Sequence, residues 1–312
     1  MALPASPLLD PAVLARVKDL RLVARTLVDG AVTGLHRQPR AGIGVELEQF
    51  RGYQPGDDPR RIDWRAHARS DRLIVRESPV ERDVTVRLVV DATASMAHVD
   101  EATRARGAGG SVAGEATVSK LGYARMLAAA LAFLALRQGD AVALHLVGSS
   151  AVDLPPLRRR RALERLLFHL QTMEAGGKWP SWAQLGPRLL RPRRREVVVV
   201  ISDLWENERE IAAALAGLRA LRHEVVLLHL IGRNELDFGW SGDLLFEDLE
   251  SGAVVAGDAG SLRDGYLRRL AAWLEAWQRR AAELGVTYQR VPLDRPLELA
   301  LRDVLARRRR LR

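Results

Sequence analysis

Val86-Arg-Leu-Val-Val-Asp-Ala-Thr-Ala-Ser-Met96 decides the reading of this chain. A short apolar run, rich in β-branched residues, stops at Asp91. Two hydroxyls follow at spacing two, Thr93 and Ser95. The run reads as a buried strand. The polar cluster falls where the C-terminal end of that strand opens into a loop, the place where open α/β sheets hold their ligand sites. An aspartate with two alternating hydroxyls offers three hard oxygens to one point, a donor set suited to Mg²⁺ or Mn²⁺ rather than zinc.

Outward from this stretch, strands and helices alternate. Thr85 to Val90 reads as a strand. Lys120 to Gln138 reads as a helix with one apolar face, stopped by Gly139. Ala141 to Val147 and Ser150 to Leu154 read as paired strands, and Arg161 to Gln171 and Trp182 to Leu190 as helices. Glu196 to Ile201 is a buried strand ending in Ser202-Asp203. A helix (Glu208 to Leu221), a strand (Glu224 to Ile231), a hairpin of Leu244 to Phe246 and Ala253 to Val255, a long helix (Ser261 to Leu284), a last strand (Val286 to Val291) and a terminal helix (Leu297 to Arg310) follow. This pattern predicts an α/β domain over residues 83–312, a doubly wound, mostly parallel sheet covered on both faces. Residues 1–82 form an N-terminal helical and extended segment. It carries an amphipathic helix within 11–34 and a strand from Asp71 to Glu77. The Gly/Ala-rich stretch 105–114 reads as a mobile surface insertion.

In a doubly wound sheet the first and fourth strands are neighbours at the switch point. With Glu196 to Ile201 as the fourth strand, Asp203 and Asp91 face one crevice. Two carboxylates and two hydroxyls leave Mg²⁺ short of ligands, and waters or an acidic oxygen from a partner could complete the set.

The bulk composition narrows the classes. The chain has 312 residues, 47% of them hydrophobic, so a sizeable core is available. There is no cysteine, which removes disulfides, thiolate metal sites and cysteine nucleophiles. No secretory leader pattern and no membrane span is read, so a cytoplasmic location is expected. The net charge of +9 comes from arginine runs at 158–161, 191–195 and 307–310. No aromatic-interleaved basic strand accompanies them, so nucleic acid is not the expected partner. The chain has no phosphate-binding loop of the Gly-rich Lys-Ser/Thr type, no nucleophile elbow at Ser95 or Ser202, and no paired histidines for zinc.

A second run is dense in charge: Tyr53-Gln-Pro-Gly-Asp-Asp-Pro-Arg-Arg-Ile-Asp-Trp64. Asp57, Asp58 and Asp63 lie among Arg60, Arg61 and Arg65, and arginine pairs with carboxylates in planar bidentate bonds. Trp64 offers an apolar anchor. These residues read as a clamp between segments, with a partner hot spot as the alternative.

The chain resembles the bacterial domain-of-unknown-function 58 family. The resemblance is sharpest in the Asp-Asp-Pro-Arg-Arg-Ile-Asp-Trp run and continues through Asp91 to Met96, Lys120 to Ala130, Ile201 to Asp203 and Phe246 to Glu250. It implies a body similar to the von Willebrand factor A fold. It also implies an adaptor or assembly role beside a MoxR-type AAA+ ATPase. Asp91, Thr93, Ser95 and Asp203 would then form a metal-ion-dependent adhesion site. The usual pattern has serine where Thr93 stands and a later threonine near Gly176 to Pro180. Lys178 falls there, so an ammonium could stand in for the metal, or Ser181 or Thr172 could supply the oxygen. The expected function is a non-enzymatic interaction module. The alternatives are a divalent-metal hydrolase, with His98 as the nearest base in sequence, and a nucleic-acid-associated basic protein.

Overall fold

The computed structural model describes residues 49–53, 62, 64, 67–68, 72–77, 84–100, 119–149, 151–158, 160–189, 195–205, 207–247 and 252–310. The helix expected within 11–34, the stretch 105–114, and Asp57, Asp58, Arg60, Arg61 and Asp63 lie outside the described residues. The chain forms two compact units, one of them His36–Asp83 and the other containing Val84–Arg312. In the smaller unit β1 (Gln49–Gly52) pairs antiparallel with β2 (Ile74–Glu77), Gln49 against Glu77.

In the larger unit, β3 is Thr85–Ala92, β4 Ala141–Gly148, β5 Val152–Leu157, β6 Val197–Ser202, β7 Glu224–Ile231 and β10 Thr287–Pro292. They form one six-stranded sheet of order β10-β7-β6-β3-β4-β5. All pairings are parallel except β4 with β5. The doubly wound, mostly parallel arrangement expected from the alternating pattern is present. Pro155 and Pro156 lie in β5 at the sheet's edge, where the pairing with β4 is irregular between Val142 and Leu144 and neither proline is part of the ladder.

The helices are α1 (Lys120–Arg137), α2 (Arg160–Thr172), α3 (Trp182–Leu189), α4 (Glu208–Ala220), α5 (Arg233–Asp237), α6 (Ala259–Glu283) and α7 (Leu297–Arg310). Alternation along β3 feeds two cores. Leu88 and Val90 pack with Leu127, Leu166 and Leu301 of α1, α2 and α7. Val89 points the other way and packs with Leu185, Leu215 and Trp277 of α3, α4 and α6. Helix α1 is buried over most of its circumference, wider than the single face the sequence suggests. Its alanines let it press onto the sheet, and Ala128, Ala129 and Ala130 are fully buried. Strands β8 (Asp243–Glu247) and β9 (Val254–Asp258) make a separate antiparallel hairpin.

Candidate functional site

The site grows from the β3–β6 register. Val90 lies opposite Ile201, so the chain emerges with Asp91 beside Ser202 and Asp203. Asp91 Oδ1 accepts bonds from the Thr93 amide at 2.9 Å and the Thr93 hydroxyl at 2.7 Å. Ser202 Oγ donates to Asp91 Oδ2 at 2.5 Å. The Thr93 and Ser95 hydroxyls are 3.3 Å apart, and Ser95 Oγ donates to Asp203 Oδ1 at 3.1 Å. Two hydroxyls therefore bridge two carboxylates. Asp91, Thr93, Ser95 and Asp203 are brought together as the sequence predicted, and each is 5% exposed or less. Burial, reinforced by the charge of Asp203, pushes the Asp91 carboxyl up to about 7, against the bonds from Ser202 and Thr93.

The ammonium at this site is Lys120, not Lys178. Lys120 Nζ donates to Asp203 Oδ2 at 2.9 Å and to Glu235 Oε1 at 2.7 Å. Its side chain is 4% exposed. Burial alone would lower its pKa, but Asp203 and Glu235 outweigh that and hold it above the usual lysine range. The chain delivers Lys120 here because the Lys120 amide bonds to the His98 carbonyl at 3.0 Å, and Val99 bridges to Ser119. Glu235 is fixed in turn by the Gly232 amide at 2.6 Å.

Lys178 is exposed. The loop before it docks on β3 through main-chain bonds. Gly176 N donates to Ala92 O at 2.8 Å, and Ala94 N donates to Gly177 O at 3.2 Å. Gly177 has φ +72°, and a Cβ there would lie 2.8 Å from Ser149 N. Thr172 gives its hydroxyl to Phe168 O at 2.9 Å within its own helix. The Ser181 amide bonds to Gln184 Oε1 at 3.2 Å at the start of α3. Among the described residues the buried Nε2 of His98 has no hydrogen-bond partner. Burial first, then Lys120, lowers its pKa.

On the β7 side, His229 Nδ1 and the Tyr288 hydroxyl share a hydrogen bond of 2.6 Å. Burial brings that imidazole down to about 3, so it is neutral. The His229 ring meets Trp273 edge-on at 5.2 Å, and Trp273 meets Trp205 at 5.5 Å. Trp205 is 54% exposed, and its amide bonds to Asp203 Oδ1 at 3.3 Å. In the smaller unit Trp64 is 59% exposed and edge-on to His67.

Sequence reasoning missed the roles of Lys120, Ser202 and Glu235. The available signal was a lysine opening a helix with no acid in its first turn, where the helix dipole disfavours a cation. Among the described residues no group of three or more His, Cys, Asp or Glu is placed to hold a metal. Hydroxyls supply half of this cluster.

The family model described as "Protein of unknown function DUF58" matches residues 49–273. The chain belongs to the DUF58 family. The DUF58 region contains Asp91, Lys120, Asp203 and Glu235, so the cluster lies inside what the family shares in length. The uncharacterized protein Rv1480 of Mycobacterium tuberculosis is 30% identical over 273 residues, 84% of this chain and 79% of that protein. Uncharacterized protein Mb1516 of Mycobacterium bovis matches to the same extent. Among solved structures, the conserved hypothetical protein BatB of Bacteroides thetaiotaomicron is 16% identical with a TM-score of 0.43, covering 72% of this chain and 98% of its own. An aerotolerance-related membrane protein of Bacteroides fragilis is 19% identical with a TM-score of 0.41, covering 72% and 99%. Among the described residues of this DUF58 chain no helix is long and apolar enough to cross a membrane.

Proposed function

We propose that the chain is a non-enzymatic protein-interaction module built like a von Willebrand factor A domain. It meets its partner, a MoxR-type AAA+ ATPase, at the rim of the Asp91, Thr93, Ser95 and Asp203 cluster. The observation that carries this reading is the hydroxyl bridge between the two carboxylates. The Ser95 and Ser202 hydroxyls donate to carboxylates, and Thr93 does so within hydrogen-bond distance of Ser95, so one network joins both strand ends.

The donor set fits a divalent cation. The Thr93 and Ser95 hydroxyls keep lone pairs free of the bonds they donate. Among the described residues one ammonium, Lys120, serves a neighbourhood holding Asp91, Asp203 and Glu235. Mg²⁺ or Mn²⁺ at Thr93 and Ser95, backed by Asp91 and Asp203, would make up that deficit of positive charge. The partner reads the ordered rim, where exposed Trp205 is tied to Asp203.

The test is thermal unfolding in EDTA and then in excess Mg²⁺ or Mn²⁺. Ligand at about 100 times its Kd adds about 2.7 kcal/mol, or roughly 5–10 °C for a domain of this size. We expect that shift in the wild type and its loss in Asp91→Ala. No shift in the wild type removes the ion from the reading. Titration of a MoxR-type ATPase by calorimetry tests the partner, with binding about thirtyfold weaker or more expected for Trp205→Ala, a hot-spot-sized loss. Metal-dependent hydrolysis lost in Asp91→Ala would replace the module with the hydrolase alternative.

A further inference from the structure

The β8–β9 hairpin is a sheet of its own, paired with no strand of the central sheet. On one of its faces Phe246 meets Phe238 at 6.4 Å and Trp240 at 6.2 Å, while Val255 opposite it stays 61% exposed. The register sets Asp243 opposite Asp258, Leu245 opposite Ala256 and Glu247 opposite Val254, so these positions share the other face. On that face Leu245 is 75% exposed and Val254 57%. Asp243, Ala256 and Asp258 are exposed as well.

Two features of this face are costly without a partner. A sheet face with an apolar strip is ordinarily buried under a second layer. Like charges directly opposite across two strands repel, and Asp243 faces Asp258. Asp258 cannot swing away freely, because its Oδ1 caps α6 by accepting from the Ser261 amide at 2.9 Å. The surrounding sequence sharpens the charge. From Asp243 to Asp258 the acids are Asp243, Glu247, Asp248, Glu250 and Asp258, with no Lys, Arg or His, in a chain of net charge +9.

We infer that this face is a docking surface for a basic amphipathic helix of a partner protein. The helix's apolar side covers Leu245, Ala256 and Val254, and its arginines or lysines answer Asp243 and Asp258. Charge complementarity selects this occupant. A basic segment is repelled by the chain as a whole and attracted here, so the site is selective rather than adhesive. The surface shares no residue with the Asp91–Asp203 cluster, and the inference does not depend on it.

The experiment titrates a fluorescent synthetic helix into the full chain by anisotropy. The helix carries leucine on one face and arginine along its flanks; a twin carries glutamate in place of arginine. We expect the arginine helix to bind, more weakly as salt rises. Leu245→Ser with Val254→Ser weakens binding about tenfold or more, and Asp243→Asn about threefold with a smaller salt dependence. Both variants change exposed positions, so an unchanged melting temperature confirms that the fold is kept. No binding by the arginine helix, equal binding by the glutamate twin, or equal binding by the serine variant overturns the inference. A dimer in sedimentation that Leu245→Ser with Val254→Ser dissolves also overturns it, by giving the face to a second copy of the chain.

Discussion

Lys120 opens helix α1, where the dipole is least hospitable to a cation, and its side chain is almost wholly buried. The carboxylates of Asp203 and Glu235 explain the position. Removing one partner of a buried pair leaves the other charge uncompensated, which costs roughly 3–5 kcal/mol. Lys120→Met is therefore expected to lower stability by that amount in urea unfolding. Adding Asp203→Asn should recover part of the loss; a single-variant cost under about 1 kcal/mol would mean that the pair is not held as described. Glycine makes a second prediction at this scale. Gly177→Ala puts a Cβ 2.8 Å from Ser149 N at φ +72°. Gly139→Ala adds one at φ +83° with nothing within 4 Å. Both incur left-handed strain of about 1–2 kcal/mol, and only Gly177→Ala adds a clash that pries the loop from β3 and β4. Urea midpoints should rank Gly177→Ala well below Gly139→Ala; equal midpoints would deny the close approach. Asp91, Thr93, Ser95 and Asp203 were legible because strand ends announce themselves. Lys120 and Glu235 were not, because nothing in local spacing says which distant carboxylate a lysine meets.

At the scale of elements, β3 does two jobs by alternation. Its even side is apolar. Its odd side carries Arg87, which binds Glu196 in a bidentate pair, Nε to Oε2 at 2.6 Å and Nη2 to Oε1 at 3.0 Å. Arg87 Nη1 also contacts His145 Nε2 on β4, whose Nδ1 lies 2.6 Å from Asp153 Oδ1 on β5. Arg188 of α3 closes the chain on Asp153 at 2.6 and 2.8 Å. This polar chain ties strands β3, β4 and β5 and the residue before β6 on one face. Burial first, then Arg87, brings the His145 imidazole down to about 4 from 6.5, against the pull of Asp153. The unfolded chain thus binds a proton near pH 6.5 that the folded chain refuses. The contribution of His145 is complete above that pH and is lost as pH falls toward 4, by at most about 3 kcal/mol. His145→Gln should flatten the stability profile between those limits in urea titrations; an unaltered slope would place the titration elsewhere. Element types were legible wherever a pattern ran for several periods. The four-residue β1 and five-residue α5 escaped, because so few residues show no period.

For the whole molecule, the two cores share the same strands, since Leu88 and Val89 are consecutive and face opposite ways. They should therefore unfold together. Leu127→Ala, on the α1 face, is expected to cost about 2–5 kcal/mol. The loss should shift the midpoint reported by tryptophan fluorescence, although Trp179 and Trp277 are buried on the opposite face. A tryptophan midpoint indifferent to Leu127→Ala would show two independent layers. By itself the sequence determined the fold class, the alternation of strands and helices, and the two strand ends whose acids could meet, because hydrophobic period and turn chemistry are local properties. Only the tertiary structure decided that Lys120 rather than Lys178 enters the cluster. It alone decided that Glu235 joins it, that the cluster is closed, and that Leu245 and Val254 are left uncovered. Those outcomes depend on distances between elements far apart in the chain, which the packing of helices on a twisted sheet sets and no local pattern encodes.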